Sequence, residues 1–472
     1  MTPGTIGDSA SPTSTSRHKA VLPALLGVFV VLRTLGPVSD PDAFWHIAAG
    51  SLLRTQHDFT VTSDPWSATA TQPWILNQWL PEVVMSWANS VGGLPAVAWL
   101  QALAALLVMA TIWATCRARA SIITATLVTA VVFVALSGSI SPRPQMVTFA
   151  LLAITAHIWL RTSVDLRPRW WLIPLSWVWA CSHGLWFLGP AVGGVVIVGM
   201  LLDRRLALRD APRLAAIPLA SVAVAALTPV GPALLASPFQ VAGVTRYISE
   251  WQPTRILDVA SVAMLALIAL PVLRMARGAR PGSWVTILLL GSALALGLMQ
   301  ARTVGVAAIM AAPLAADSLH RVTGLRREAG TRRELVIAAT AFSIALAAVG
   351  ALAPAVAAKP GRGPNGLDTK LDALPAGTVL CNDMTIGGWL IYRHPDLKVV
   401  FDTRVEIYTP SFIESYQRAM AGSVGWQDFV QTTGCTGALV YEAAPLATVL
   451  KQGGWGVAGS SDGMVLLSQP GT

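Results

Sequence analysis

Charge is scarce in this chain. Asp, Glu, Lys and Arg together make up 12% of 472 residues, against 54% hydrophobic. That balance excludes an ordinary soluble domain and marks a polytopic membrane protein. Cysteine is scarcer still: Cys116, Cys181, Cys381 and Cys435 form no Cys-x-x-Cys or Cys/His cluster, so no zinc site is expected. Cys381 and Cys435 alone fall outside the apolar runs; they can pair in an oxidising compartment, and are otherwise two buried thiols. No small-residue cleavage site follows the first apolar run, which is therefore read as a retained helix. The net charge of +9 is not gathered into a patch. Its Arg residues lie mostly in short loops between apolar runs, which argues against nucleic-acid binding.

What is present is a series of apolar stretches near the roughly 20 residues that a membrane helix needs. They fall at about 20–38, 95–116, 120–137, 144–160, 214–229, 257–273 and 334–356. Two longer stretches, 170–202 and 283–319, are broken by Ser182-His183-Gly184 and by Gln300-Ala301-Arg302. Counting both halves of each gives about eleven spans. Basic clusters occupy one set of loops, at 17–19, 117–119, 161–169, 204–213, 274–280 and 321–333; the alternate loops carry only Arg54, Arg143, Arg246, Arg255 and Arg302. The positive-inside rule then places the N-terminus in the cytoplasm and the loop 39–94 outside.

The chain divides accordingly. Residues 1–17, rich in Ser, Thr, Pro and Gly, read as a disordered cytoplasmic tail, and 18–356 as the membrane domain. The segment "AKPGRGPNG" marks a linker at 357–368. Residues 369–472 alternate strand-like runs (378–382, 398–402, 436–441, 464–467) with helix-like runs (385–393, 410–421, 426–432, 445–452), which predicts a small extracytoplasmic α/β domain.

The loop 39–94 opens with "SDPDAFWHIAAG". Asp40 before Pro41 is a helix start, with Asp40 as N-cap. Phe44, Ile47, Ala48 and Leu52 then fall on one side, as in a helix lying on the bilayer surface. A second such helix begins near Asn77 and ends at Gly92-Gly93. Asp42 and His46, four residues apart, share a face. Together with Asp40 they are candidates to hold a divalent cation, Mg or Mn, on Asp42 and His46, or to supply a general base from Asp40 or Asp42. Acids at a helix N-terminus also complement its dipole without any function. Glu82 and Asp64 are weaker candidates and read better as solvated loop acids.

Arg143, Arg246 and Arg302 stand on the sparsely basic side. They either bind an anionic ligand such as a lipid phosphate or snorkel to headgroups. His183 lines a site or caps a turn, and Trp186 and Trp251 either stack on a sugar ring or belong to the interfacial belt. In the C-terminal domain Asp383 follows the first strand, while Asp402 ends the second, two residues before Arg404. Strand C-termini bind ligands in open α/β sheets, and an Asp–Arg pair holding the loops is the competing reading.

Paired acids in the loop after the first helix, many spans and a C-terminal extracytoplasmic domain resemble the GT-C superfamily of membrane glycosyltransferases. The order "DPDAFWHIAAG", "SDPWSATATQPWILNQWLPE", "SPRPQ", "WACSHG", "TPVGPALLASPF", "ISEWQP", "QARTVG" and "GGWLIY…VVFDTRVEIY" is similar to a large bacterial set described as GT-C-like. The resemblance spans roughly 30–467. It implies inverting transfer of a sugar from a polyprenyl-phosphate carrier to a glycan, lipid or protein acceptor at the outer face of the bacterial cytoplasmic membrane, for cell-envelope or glycoconjugate assembly. Asp40 or Asp42 takes the place of the acid that serves as base or holds a metal. No Gly-rich phosphate loop calls for a nucleotide donor. The competing class is a transporter or non-catalytic scaffold with a glycan- or partner-binding domain; mid-span segments almost free of charge and the lack of an internal repeat count against transport.

Overall fold

A computed structural model describes residues 14–59, 63–237, 243–278, 282–327 and 332–471. The expectations for residues 1–13 of the tail and for Arg280 lie outside the described residues. The chain runs α1 (Ser14–Thr34), α2 (Pro41–Gln56), α3 (Trp79–Arg117), α4 (Ile122–Leu136), α5 (Gln145–Asp165), α6 (Leu172–Ala180), α7 (Leu188–Leu202), α8 (Ala211–Ala225), α9 (Val259–Ala276), α10 (Trp284–Met299), α11 (Val304–Thr323) and α12 (Arg332–Val356). Among the described residues six helical stretches are long and apolar enough to cross a membrane, and four shorter apolar helices accompany them.

The breaks fall where the sequence weakens the helix. Within α3, Gly92 and Gly93 leave helical geometry, Gly93 with φ 64°, so an N-terminal segment is set off from the long apolar one. Between α6 and α7 the chain unwinds at 181–183, and between α10 and α11 at Gln300, each break being followed by a single 3-10 turn. Helix α11 is the axis of the bundle. Every residue from Thr303 to Ala316 is buried, mostly Ala, Val and Gly, whose small side chains let α4, α5, α9 and α10 approach closely.

After the linker come α13 (Asp368–Asp372), β1 (Val379–Asn382), α14 (Met384–Arg393), β2 (Lys398–Val399), α15 (Pro410–Met420), α16 (Trp426–Thr433), β3 (Gly437–Tyr441), α17 (Pro445–Gln452), β4 (Gly456–Ser461) and β5 (Met464–Ser468). The sheet order is β2-β1-β3-β5-β4; β2, β1 and β3 are parallel, and β5 and β4 pair antiparallel. Strand β4, "GVAGSS", is an edge strand of small residues and has no hydrophobic alternation to announce it. Cys381 and Cys435 are joined in a disulfide.

The loop after the first helix is built into this domain. Ser67 pairs in parallel with Val399 at the β2 edge, Val399 N–H donates to Trp66 O at 3.1 Å, and Ala68 N–H to Val399 O at 2.9 Å. Thr71 and Gln72 donate to Ile407 O at 3.1 and 3.0 Å. One hydrophobic core therefore contains Phe44, Trp66 and Trp74 of the loop with Trp389, Phe401 and Leu439 of the domain. This corrects the expectation of a surface helix: the apolar face of α2 is covered by protein, packed between α3 and α14. Two glycines allow that approach. A Cβ at Gly50 would stand 1.9 Å from Glu82 O, and one at Gly388 2.2 Å from Pro41 O.

Candidate functional site

Helix α2 positions the two acids at its start. Asp40 Oδ1 accepts the Asp42 N–H at 2.9 Å, which closes the helix cap and turns Asp40 Oδ2 outward. Arg143 arrives from the turn that begins α5. Its Nε lies 2.6 Å from Asp40 Oδ2, and Nη1 lies 3.1 Å from Asp42 Oδ2 and 3.3 Å from Glu250 Oε1. Asp42 Oδ1 also faces Trp45 Nε1 at 3.3 Å, and that indole lies 3.2 Å from Thr403 Oγ1 of the C-terminal domain. Burial pushes the Asp42 carboxyl up, but Arg143 and then His46, with hydrogen bonds from Thr403 and Trp45, hold it below its ordinary value. Arg143 is in turn held charged by Asp42, Asp40 and Glu250 against the cost of its burial.

The two broken helices supply the cationic side. Arg302, in the turn 301–303, places its guanidinium 5.3 Å from the Trp251 ring centroid, and Nη2 lies 3.3 Å from His183 Nε2. His183 Nδ1 lies 2.9 Å from Thr148 Oγ1, an oxygen that accepts from Trp179 Nε1 at 2.8 Å, and faces the Leu185 N–H at 3.4 Å, so His183 caps the turn 184–187 as well as meeting Arg302. Arg302 Nε is buried with no partner among the described residues. The 249–251 turn is anchored to the α10–α11 break, since Ala301 N–H donates to Gln252 O at 3.0 Å.

Asp40, Asp42, Arg143, His183, Trp251 and Arg302 accordingly belong to one cluster. Other expected site residues lie apart. His46 is buried and pairs with Glu82, Nδ1 to Oε1 2.9 Å, so it and Asp42 are drawn to different partners. Arg246 is exposed and bonds Glu414 on α15 at 3.1 Å, a contact between bundle and domain. Trp186 is buried in the bundle core. Asp402 and Arg404 are fully enclosed: Nη2 to Oδ2 is 2.6 Å, Arg404 also bonds Asp64, and Trp66 and Trp74 flank the guanidinium. The pair holds loops together, as the competing reading had it, and Asp383 caps α14 through the Thr385 N–H at 2.9 Å. Glu82 and Asp64 are corrected from solvated loop acids to buried partners of His46 and Arg404, because the C-terminal domain covers the loop that carries them.

Glu250, Thr403 and Glu406 are missed by sequence reasoning. Glu250 and Glu406 stand inside "ISEWQP" and "DTRVEIY", where an acid beside aromatic residues was the available signal. Glu406 is half-buried and feels the charges of Asp42 and Arg302. Burial raises its carboxyl to about 7, with Asp402 and Asp42 adding to the rise and Arg404 opposing it. Among the described residues no three His, Cys, Asp or Glu side chains gather in a way that could hold a metal ion. Asp40, Asp42 and Glu250 converge on Arg143 instead, so the residues present do not fit a resident cation.

The chain is a helical membrane bundle with an α/β domain locked onto its first loop and a charged cluster beneath that domain. Among the solved structures that share this fold are those of an archaeal oligosaccharyltransferase, AglB from Archaeoglobus fulgidus. Its complex with an inhibitory peptide and a dolichol-phosphate superposes with a TM-score of 0.55 at 12% identity, over 91% of this chain and 70% of that one. The apo form gives 0.56 at 12% identity, over 92% and 70%. The form with Zn and sulfate gives 0.52 at 12% identity, over 89% and 68%. No protein-family model and no curated protein sequence matches the chain.

Proposed function

We propose that the protein is a membrane glycosyltransferase that moves a sugar from a polyprenyl-phosphate carrier to a glycan, lipid or protein acceptor, outside the bacterial cytoplasmic membrane, in cell-envelope or glycoconjugate assembly. The observation that carries this reading is one charged cluster on the GT-C fold in which Asp42, ion-paired with Arg143, feels the charge of Arg302, a half-buried cation whose Nε has no partner among the described residues. The fold neighbour solved in complex with a dolichol-phosphate supports a lipid-phosphate donor. The positive-inside pattern and the Cys381–Cys435 disulfide, which suits an oxidising compartment, support the orientation, with the N-terminus in the cytoplasm and about eleven spans.

In this mechanism the acceptor oxygen or nitrogen attacks the anomeric carbon from the face opposite the phosphate, which inverts that centre. The bond from the anomeric carbon to the phosphate oxygen breaks, and its electron pair leaves with the lipid phosphate. Asp42 takes the acceptor proton. Asp40 is the poorer base, since one oxygen closes the α2 cap and the other sits 2.6 Å from Arg143. Arg302 meets the departing phosphate, with Trp251 beneath it and His183 fixing its direction.

Membranes carrying the protein, supplied with radiolabelled polyprenyl-phosphate sugars, test the reading. Wild type should transfer label, Asp42→Asn should lose at least about 100-fold in rate, the scale of a removed general base, and Arg302→Gln should lose a comparable factor. Unchanged transfer in Asp42→Asn would remove the assignment of the base. No transfer by folded wild type with any donor would favour the scaffold.

A further inference from the structure

The acids of the charged cluster reach it from two separate parts of the chain. Asp40 and Asp42 come from the start of α2 and Glu250 from the turn 249–251, and all three point at one guanidinium. A hard cation such as Mn or Mg needs several oxygens around one point at about 2.0–2.6 Å. Here nitrogen atoms occupy that point. The oxygens that do not face Arg143 are partly committed as well, Asp40 Oδ1 to the Asp42 N–H and Asp42 Oδ1 to Trp45. Arg302 supplies a second positive charge that acts on both Glu250 and Asp42.

We infer that Arg143 fills the seat of a divalent cation in this cluster, so that the protein needs no metal there and becomes a metal-binding protein only when that guanidinium is removed. Spread around the guanidinium, the three carboxylates do not form a metal site as they stand; without Arg143 they would repel one another until a hard cation such as Mn or Mg drew their oxygens together. Arg143 is then a positioning residue for Asp42 and not a phosphate ligand, which leaves that task to Arg302. The inference rests on the transferase reading only for its activity arm.

Thermal unfolding of the purified full-length chain in detergent, with EDTA or with millimolar MnCl₂ or MgCl₂, tests it. Wild type and Arg143→Lys should unfold at the same temperature in all three. Arg143→Gln should unfold several degrees higher with Mn than with EDTA. Stabilisation of wild type by either metal, or no response of Arg143→Gln, would overturn the inference. Should Arg143→Gln be too unstable to purify, manganese carried by wild type through gel filtration decides: only trace metal supports the inference, and a stoichiometric amount overturns it. Transfer by wild type should survive EDTA. Loss of transfer in EDTA counts against this inference alone, whereas absence of transfer under every condition counts against the transferase reading and leaves the thermal result to stand.

Discussion

Arg404 of the C-terminal domain and Asp64 of the loop after the first helix form an ion pair in which neither side chain has any exposure, 0% for each. Asp402 binds the same guanidinium at 2.6 Å, and Tyr408 donates to Asp402 at 3.0 Å. The pair fastens together two segments that most of the membrane domain separates in sequence. Removing Arg404 strands both carboxylates in a site that water does not reach, whereas removing Asp64 leaves Arg404 with Asp402. Arg404→Met should therefore cost about 3–5 kcal/mol, read as earlier thermal unfolding and faster proteolysis of the C-terminal domain, and Asp64→Ala should cost less. Asp64→Leu with Arg404→Met should cost less than the two single changes added together, because each single change already breaks the one Asp64–Arg404 bond, while Asp402 loses its cation in both Arg404 variants.

Gly388 offers a steric test of how the domain holds the acids. Its missing Cβ would lie 2.2 Å from Pro41 O, next to the α2 cap. Gly388→Ala should destabilise by about 1–3 kcal/mol and reduce transfer by shifting α2, while Gly194→Ala, with nothing within 4 Å of the new methyl, should change neither. Equal behaviour of the two variants in unfolding and transfer assays would rule out close packing as the cause.

Glu406 should make stability depend on pH. Its folded value, about 7, lies above the ordinary 4.5, so the fold favours the neutral carboxyl. Stability is then lost as pH rises from the ordinary value through about 7, and the loss is complete above it. Glu406→Gln should remove this slope, so that the unfolding temperature of wild type relative to the variant falls between about pH 5 and pH 8. A constant difference across that range would contradict the expectation.

The disulfide closes a loop between Cys381 and Cys435, 54 residues apart in sequence. Replacing both by Ser should cost about 2–4 kcal/mol, measured by unfolding of the intact protein. Without reductant, a maleimide added to unfolded wild type should label Cys116 and Cys181 but neither of the other two.

Much of the helical course was legible because it depends on local chemistry. The Asp40-Pro41 start, the Gly92-Gly93 break and the interruptions at Ser182-His183-Gly184 and Gln300-Ala301-Arg302 each follow from what one or two residues do to a helix. Strand β4 was not legible, because small polar residues at an exposed edge carry no period. The apolar face of α2 was visible but its partner was not: periodicity shows that a face must be buried, and a bilayer and a protein domain satisfy it equally.

The sequence by itself determined a helical membrane bundle, a separate α/β segment at its end, and the residue types from which a charged cluster is made. Only the tertiary structure decided their pairings: Arg143 with Asp40, Asp42 and Glu250, His46 with Glu82, and Arg404 with Asp64 and Asp402. Local spacing governs helices through hydrogen bonds within four residues, and hydropathy governs burial through each residue alone. Which acid meets which base depends on where distant segments come to rest, and in this chain the C-terminal domain settles that by covering the first loop.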